Sequence, residues 1–161
     1  MNNEYFMRIA IRTAQEGIED GEMPFGACLV DQRGTVLSVA HNNVSTTTDP
    51  TAHAEIQAIR QGATKLVSPD LRDCVLYTTC EPCPMCFSAC LWSHLSRIVY
   101  AACSEDGERF GIVSIPISCS HMCRLSRSDM KIIGDVLRDE SVKLFASWQA
   151  ARGATLNEPH L

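Results

Sequence analysis

The chain has 161 residues, enough for one domain with a sizeable hydrophobic core, and we predict a single domain over residues 1–161. The N-terminus lacks the pattern of a signal peptide and no apolar stretch reaches the length of a membrane span, so we expect a cytoplasmic location and no membrane partner. A net charge of −5, with no basic run longer than two residues, argues against a nucleic-acid partner, because nucleic-acid binders usually present a basic surface.

The first half of the sequence predicts a helix, a hairpin and a second helix. Apolar residues recur at helical spacing from Tyr5 to Ile18, and this helix is expected to end near Gly21. Two apolar runs, 25–30 and 36–40, predict strands joined by a turn at 31–34. A polar loop follows, and a second helix is expected to run through Ala63.

The second half predicts a parallel arrangement. Residues 74–79 and 97–102 are typical of buried strands, and a helix from Pro82 to about His94 lies between them. Residues 104–128 are expected to be irregular, 128–133 to form a fifth strand, and the tail from Gly153 to be frayed. A last helix is indicated by the apolar face of Leu137, Ser141, Leu144, Phe145 and Trp148. The predicted fold is α/β, a three-layer α/β/α arrangement around a five-stranded mixed sheet.

Two short motifs contain residues that bind metals. The first is His53-Ala54-Glu55 and the second is Pro82-Cys83-Pro84-Met85-Cys86. One imidazole and two thiolates favour zinc over magnesium or calcium, which prefer oxygen ligands. Structural zinc sites use four protein ligands, whereas catalytic sites use three and leave one position for water. The motifs therefore predict a catalytic zinc site with His53, Cys83 and Cys86 as ligands.

Each motif also indicates the start of a helix. Asp49 is a possible cap before Pro50, and Pro82 suits the first position of the next helix. Two helix N-termini at one edge of a parallel sheet would bring the ligands together, and their partial positive charge would favour thiolates. Glu55 is not needed as a ligand, so we expect it to act as the general acid and base.

Other interpretations of the cysteines stay open. A non-catalytic structural zinc domain would need a fourth ligand, for which Cys80 and Cys90 are the nearest candidates, although Cys90 is expected to face the core. Cys119, His121 and Cys123 form a second apparent cluster, which we interpret as an accidental cysteine-rich loop.

Four segments, residues 24–26, 42–43, 49–56 and 76–86, resemble the cytidine deaminase-like superfamily of zinc enzymes. The chain looks most like bacterial guanine deaminases and nearly as much like bacterial tRNA adenosine deaminases. The resemblance implies one zinc ion per chain, held by His53, Cys83 and Cys86, with Glu55 transferring protons. It also implies a homodimer.

The resemblance extends to substrate contacts. Phe25 and Asn42 match positions that stack against the base and form hydrogen bonds with it. Ala54 matches a position that contributes backbone contacts, and Trp92 is expected to close the pocket.

The sequence differs from guanine deaminases in one respect. Those enzymes have acidic residues after the fourth strand that contact the amino group of the substrate, whereas Val113 and Ser114 stand at the matching positions here. Ser114 is a substrate-binding candidate. Without the acidic residues, the amino group of guanine lacks its expected hydrogen-bond acceptor, which argues against guanine as the substrate.

The residues and the resemblance together predict a zinc-dependent hydrolytic deaminase. Its substrate would be a small molecule: a free nucleobase, a nucleoside or a related aminated heterocycle, of the guanine or cytosine type, from which it releases ammonia. A tRNA adenosine deaminase is the alternative, and a structural zinc domain is the second alternative.

Overall fold

The apolar runs of the sequence form five strands of one sheet, and the amphipathic segments form helices around it. The structure is a computed structural model that describes residues 2–155. The strands are β1 Gly26–Asp31, β2 Val36–His41, β3 Cys74–Cys80, β4 Arg97–Ala102 and β5 Lys131–Ile133. The helices are α1 Asn3–Glu19, α2 Val44–Thr47, α3 Ala54–Leu66, α4 Pro84–Trp92, α5 Ser104–Glu108, α6 Cys119–Ser126 and α7 Arg138–Thr155.

The sheet has the order β2-β1-β3-β4-β5. Strand β1 pairs antiparallel with both β2 and β3, whereas β3, β4 and β5 are parallel to one another. The predicted mixed sheet, with an antiparallel first hairpin and a parallel second half, is confirmed. Helix α4 follows β3 at its C-terminal end, so the parallel half places a helix N-terminus at that edge.

Both faces of the sheet are covered, because successive side chains of a strand point to opposite faces. On one face Leu29 and Leu76 pack with residues of α3, α4 and α6. On the other face Cys28 and Tyr77 pack against α1, and α7 contacts α1, β3 and β4. This arrangement confirms the predicted three layers.

Residues 104–128 differ from the prediction, because they contain α5 and α6 and are not irregular throughout. Both helices are short, and Cys119 is the only buried residue of α6, so the apolar periodicity that identifies a helix is absent. Ser118 caps α6 by accepting a hydrogen bond from the backbone N–H of His121. The predicted fifth strand is confirmed only at its end, Lys131–Ile133.

Helix α7 confirms the predicted last helix. Ser141, Leu144, Phe145 and Trp148 are buried, whereas Leu137 precedes the helix with a φ of 58°. Residues 153–155 are helical, contrary to the expected frayed tail, and the rest of that tail, 156–161, lies outside the described residues.

Within residues 2–155, no helix is both long and apolar enough to cross a membrane. All nine cysteines lie within the described residues and are free thiols. Cys90, on α4, is fully buried in the core, as predicted.

Candidate metal centre and active site

Helix α3 begins later than the sequence indicates. It starts at Ala54 with His53 as the N-cap, and not at Pro50. The Asp49 carboxylate accepts hydrogen bonds from the backbone N–H and the hydroxyl of Thr51, and so closes a turn instead of capping a helix. His53 and Glu55 still lie at the N-terminal end of the helix, as the sequence predicts, because His53 is the N-cap and Glu55 is in the first turn.

Helix α4 also begins two residues later than predicted. Cys83 is its N-cap and Pro84, not Pro82, takes the first helical position, where a missing N–H costs nothing. Cys86 then lies in the first turn. The two metal motifs thus occupy equivalent places at the N-termini of α3 and α4, as predicted.

These helix ends bring His53, Cys83 and Cys86 together. His53 Nδ1 lies 3.8 Å from Cys83 Sγ and 3.5 Å from Cys86 Sγ, and the ligand atoms all lie within 4.8 Å of one another. Tetrahedral zinc, with bonds of about 2.1 Å to nitrogen and 2.3 Å to sulfur, requires roughly 3.6 Å between such atoms. The residues therefore fit a zinc ion, and no other such group of His, Cys, Asp and Glu occurs in the described chain.

The electrostatics of the cluster favour a thiolate. The hydrogen bond from Cys86 lowers the pKa of Cys83 to about 4, while sharing that proton raises the pKa of Cys86. The Cys83 hydrogen bond also raises the pKa of His53. Metal binding displaces protons from such ligands, and a cluster that already holds one thiolate needs to release fewer of them.

The described residues supply no fourth ligand. The Cys80 thiol points to the backbone carbonyl of Cys103, at 3.9 Å, and Cys90 is buried in the core. Three protein ligands with one position open are typical of catalytic zinc. The geometry therefore argues against the purely structural zinc domain.

Glu55 lies beside this group with only 6% of its surface exposed. Burial raises the pKa of its carboxyl group. A carboxyl group whose pKa is moved toward neutrality can both accept and donate a proton near pH 7. Its placement matches the general acid and base predicted from the sequence.

A cavity of about 340 Å³ opens onto His53, Glu55 and Cys83. This volume is at the lower end of the range for small-molecule sites. Most of the remaining wall is apolar and is formed by Met23, Phe25, Val44, Pro50, Ile112, Val113 and Ile115. Such a wall suits the faces of a flat ring.

Three predicted contact residues lie at or beside the cavity. Phe25 lines it and packs edge-to-face on Phe145, with ring centroids 6.2 Å apart. Asn42 also lines it and is 2% exposed. Ala54 is fully buried between two lining residues, His53 and Glu55.

The structure does not bring Trp92 to the cavity. Trp92 is the last residue of α4 and 84% exposed, whereas the zinc ligands lie at the first turn of that helix. Nine residues of helix span about 13 Å, which separates Trp92 from the site. The expectation that it closes the pocket is not supported within this chain.

Val113 and Ser114 both line the cavity, as their alignment with acidic residues implies. Val113 is 94% exposed, and the Ser114 hydroxyl donates to Glu108 Oε1 at 3.0 Å. A second, more polar cavity of about 340 Å³ adjoins the first, because Glu81, Ser104 and Ser114 line both.

The second apparent cluster does not converge. Cys119 is buried and its thiol donates to the carbonyl of Pro82, whereas His121 is exposed and Cys123 donates to the carbonyl of Ser128. The interpretation as an accidental cluster agrees with this geometry, although its setting is helix α6 and not a loop.

Sequence reasoning missed Glu22, which is 1% exposed and hydrogen-bonded to the Asn42 side chain. It follows Gly21 at the end of α1, where an acidic residue is ordinarily solvated. No signal in a single sequence distinguishes it from an exposed turn residue.

The comparisons with known proteins agree with this geometry. Residues 1–102 match the family model of the cytidine and deoxycytidylate deaminase zinc-binding region. The chain is 45% identical to guanine deaminase of Bacillus subtilis over 112 residues, 69% of this chain and 71% of that protein. It is 41% identical to tRNA-specific adenosine deaminase of Aquifex aeolicus over 115 residues, 71% of this chain and 74% of that one.

Solved structures give the same result. A guanine deaminase from Nitrosomonas europaea superposes with a TM-score of 0.84 at 30% identity, over 91% of this chain and 84% of that one. The family match ends at the last residue of β4. The chain therefore belongs to the cytidine and deoxycytidylate deaminase family of zinc-dependent hydrolases that act on C–N bonds.

Proposed function

We propose that this protein removes an exocyclic amine from a free nucleobase, a nucleoside or a related aminated heterocycle and releases ammonia. The observation that carries the proposal is the placement of Glu55. This buried carboxyl group lies beside a three-ligand His–Cys–Cys group, and both face a cavity of about 340 Å³.

His53, Cys83 and Cys86 would hold one zinc ion per chain, and bound zinc supplies the Lewis acid that activates water. Glu55 takes a proton from the attacking water, whose oxygen bonds to the amine-bearing carbon of the ring. Glu55 delivers this proton to the neighbouring ring nitrogen, and then moves the second proton, from the hydroxyl group now bonded to the carbon, to the departing amine. The C–N bond breaks, ammonia leaves, and the ring keeps the oxygen as a carbonyl.

The other lining residues would orient the ring. Phe25 contributes a face for stacking, Asn42 a hydrogen bond, and Ala54 a backbone contact at the helix end. Ser114 supplies a hydroxyl where guanine-specific relatives have a carboxylate. This difference favours a ring without guanine's amino group at that position. A homodimer remains an implication of the family resemblance, and a cytoplasmic location remains a prediction from the sequence.

The tRNA alternative is kept because a tRNA-specific adenosine deaminase is among the similar proteins, at 41% identity. The charge of −5 argues against it. An anticodon-loop RNA tests this alternative directly. If it is the substrate, its deamination rate should fall steeply as salt rises, because phosphate contacts release counterions.

The function is tested by ammonia release from the zinc-loaded protein against a panel. The panel contains guanine, guanosine, cytosine, cytidine, adenine, adenosine, an aminotriazine and the anticodon-loop RNA, each also incubated with Glu55→Ala. Turnover of one small molecule by the wild type alone supports the proposal and names the substrate. Turnover of the RNA alone would replace it with the tRNA function.

A further inference from the structure

Glu22 is a fully buried carboxylate that no step of the proposed chemistry uses. It lies between α1 and β1 and is 1% exposed. Three donors point at it. Glu22 Oε2 accepts from Asn42 Nδ2 at 2.9 Å and from the Ser45 N–H at 3.2 Å, and Oε1 accepts from the Thr46 N–H at 2.7 Å.

This carboxylate is ionised at neutral pH. Burial alone would raise the pKa of Glu22, but the hydrogen bonds from Thr46, Ser45 and Asn42 outweigh it, and the pKa lies below its ordinary value. An ionised carboxylate only accepts hydrogen bonds, whereas a side-chain amide has one accepting and one donating end. Asn42 must therefore turn its NH2 group toward Glu22.

The opposite end of the amide is thereby fixed. Asn42 lines the cavity, and no described residue donates a hydrogen bond to its Oδ1. The backbone cannot easily swing the side chain away. The Asn42 N–H donates to the carbonyl of Phe25 at 3.0 Å, and the Asn42 carbonyl lies 2.8 Å from His41 Nδ1.

We propose that Glu22 is a positioning residue that locks the Asn42 amide as a hydrogen-bond acceptor toward the cavity. The site then favours rings or sugars that present an N–H or O–H donor to Asn42 Oδ1. The predicted preference among substrates rests on the proposed deaminase function. The orientation of the Asn42 amide does not, and it can be measured without turnover.

Glu22→Gln is the informative substitution because it keeps the shape of the side chain and adds a donor. The new NH2 group faces three donors in the wild-type arrangement. One way to relieve this conflict is for Asn42 to turn its amide, accept a hydrogen bond from the substituted side chain and present its own NH2 group to the cavity. If Glu22 only supported the fold, its substitution would not exchange the accepting and donating ends of the Asn42 amide at the cavity.

The first test compares specificity. The best substrate of the panel is assayed against analogues in which each N–H or O–H donor in turn is replaced by C–H or H. In the wild type, kcat/KM should fall roughly 10-fold or more for the analogue that loses the Asn42 contact. In Glu22→Gln, this penalty should shrink to less than about threefold. An equal loss for parent and analogue, with the wild-type ratio kept, would overturn the proposal.

Asp31→Asn is the matched control. The Asp31 carboxylate also accepts two backbone hydrogen bonds, from Arg33 and Thr35, but it lies at the end of β1, next to the hairpin turn and outside the cavity. Asp31→Asn should keep the wild-type kcat/KM and the wild-type ratio of kcat/KM between the parent substrate and the analogue. A shift of the ratio in Asp31→Asn would mean that general loosening of the fold changes specificity, and would contradict a specific role for Glu22.

The second test needs no activity. In ¹⁵N-labelled, zinc-loaded protein, the Asn42 side-chain NH2 signal is assigned by its loss in Asn42→Asp, and its hydrogen exchange is measured. Slow exchange in the wild type is expected, and at least a tenfold faster exchange in Glu22→Gln. Fast exchange in the wild type would overturn the proposal, even if the variant does not fold. Slow exchange without turnover of any panel compound would refute the deaminase function and not the positioning by Glu22.

Discussion

The Asp106 carboxylate accepts two hydrogen bonds from the Arg138 guanidinium, from Nε at 2.8 Å and from Nη2 at 3.0 Å. Asp106 is 1% exposed, and the pair joins α5 to the first residue of α7. Helix α5 contributes Ser104 and Gly107 to the wall of the proposed active site. The ion pair therefore holds that wall against the C-terminal helix.

We predict that Arg138→Leu lowers the free energy of unfolding by about 2 kcal/mol, because it removes the charged partner of a buried carboxylate that then keeps only the hydrogen bonds from the Cys103 N–H and thiol. Urea unfolding measures this change. Arg8→Leu is the control, since Arg8 pairs with Glu4 and Glu140 at the surface and such pairs contribute about 1 kcal/mol or less. Equal losses in the two variants would contradict the role given to the Asp106–Arg138 pair.

The same pair predicts a dependence on pH. The hydrogen bond from Arg138 lowers the pKa of Asp106 below its ordinary value. A carboxyl group with a lowered pKa stabilises the fold fully above its unfolded pKa of about 3.9, and this contribution is lost as the pH falls through its folded pKa. Below about pH 4, the wild type should therefore lose stability more steeply than Arg138→Leu. Parallel curves from pH 6 to 2 would show that the pair contributes nothing.

The metal assignment predicts different behaviour for two neighbouring cysteines. Cys83→Ala should lose both zinc and activity, because it removes one of three ligands. Cys80→Ala should keep stoichiometric zinc, since the Cys80 thiol lies outside the ligand group and points to a backbone carbonyl. Metal analysis of the purified variants checks both. Stoichiometric zinc in Cys83→Ala would show that the ligand is wrongly assigned.

The missing acidic residue predicts a change of specificity. Val113 lines the cavity and is exposed, so Val113→Asp introduces a carboxylate there without burying it in the core. A hydrogen bond between a charged group and the amino group of guanine should raise kcat/KM for guanine about 10-fold or more relative to adenine. Val113→Asn is the neutral control, and it should give a smaller gain. An unchanged ratio in Val113→Asp would place the recognition of that amino group elsewhere.

The zinc ligands could be predicted because their arrangement depends on local rules. Three zinc-binding side chains in two short motifs, each at the start of a helix at one edge of the sheet, are enough to bring His53, Cys83 and Cys86 together. The exact helix starts could not be predicted, because Asp49 forms a turn as readily as a cap and Pro84 competes with Pro82 for the first position. Neither error moves a ligand away from the site.

Long-range contacts were not predictable from the sequence. The burial of Glu22 depends on backbone donors more than 20 residues away, and that of Asp106 on an arginine 32 residues away. Helices α5 and α6 bury too few residues to show a periodic pattern. Trp92 was assigned from resemblance alone, and the direction of α4 takes it away from the cavity.

The proposed mechanism depends most on Glu55 as the proton carrier beside a bound zinc ion. Zinc content and the rate of ammonia release, measured together on wild-type protein and Glu55→Gln with the best panel substrate, test it most directly. We predict equal zinc content in both proteins and a rate of ammonia release about 10²- to 10⁴-fold lower in the variant. A variant that retains its zinc and turns over within tenfold of the wild type would contradict the mechanism.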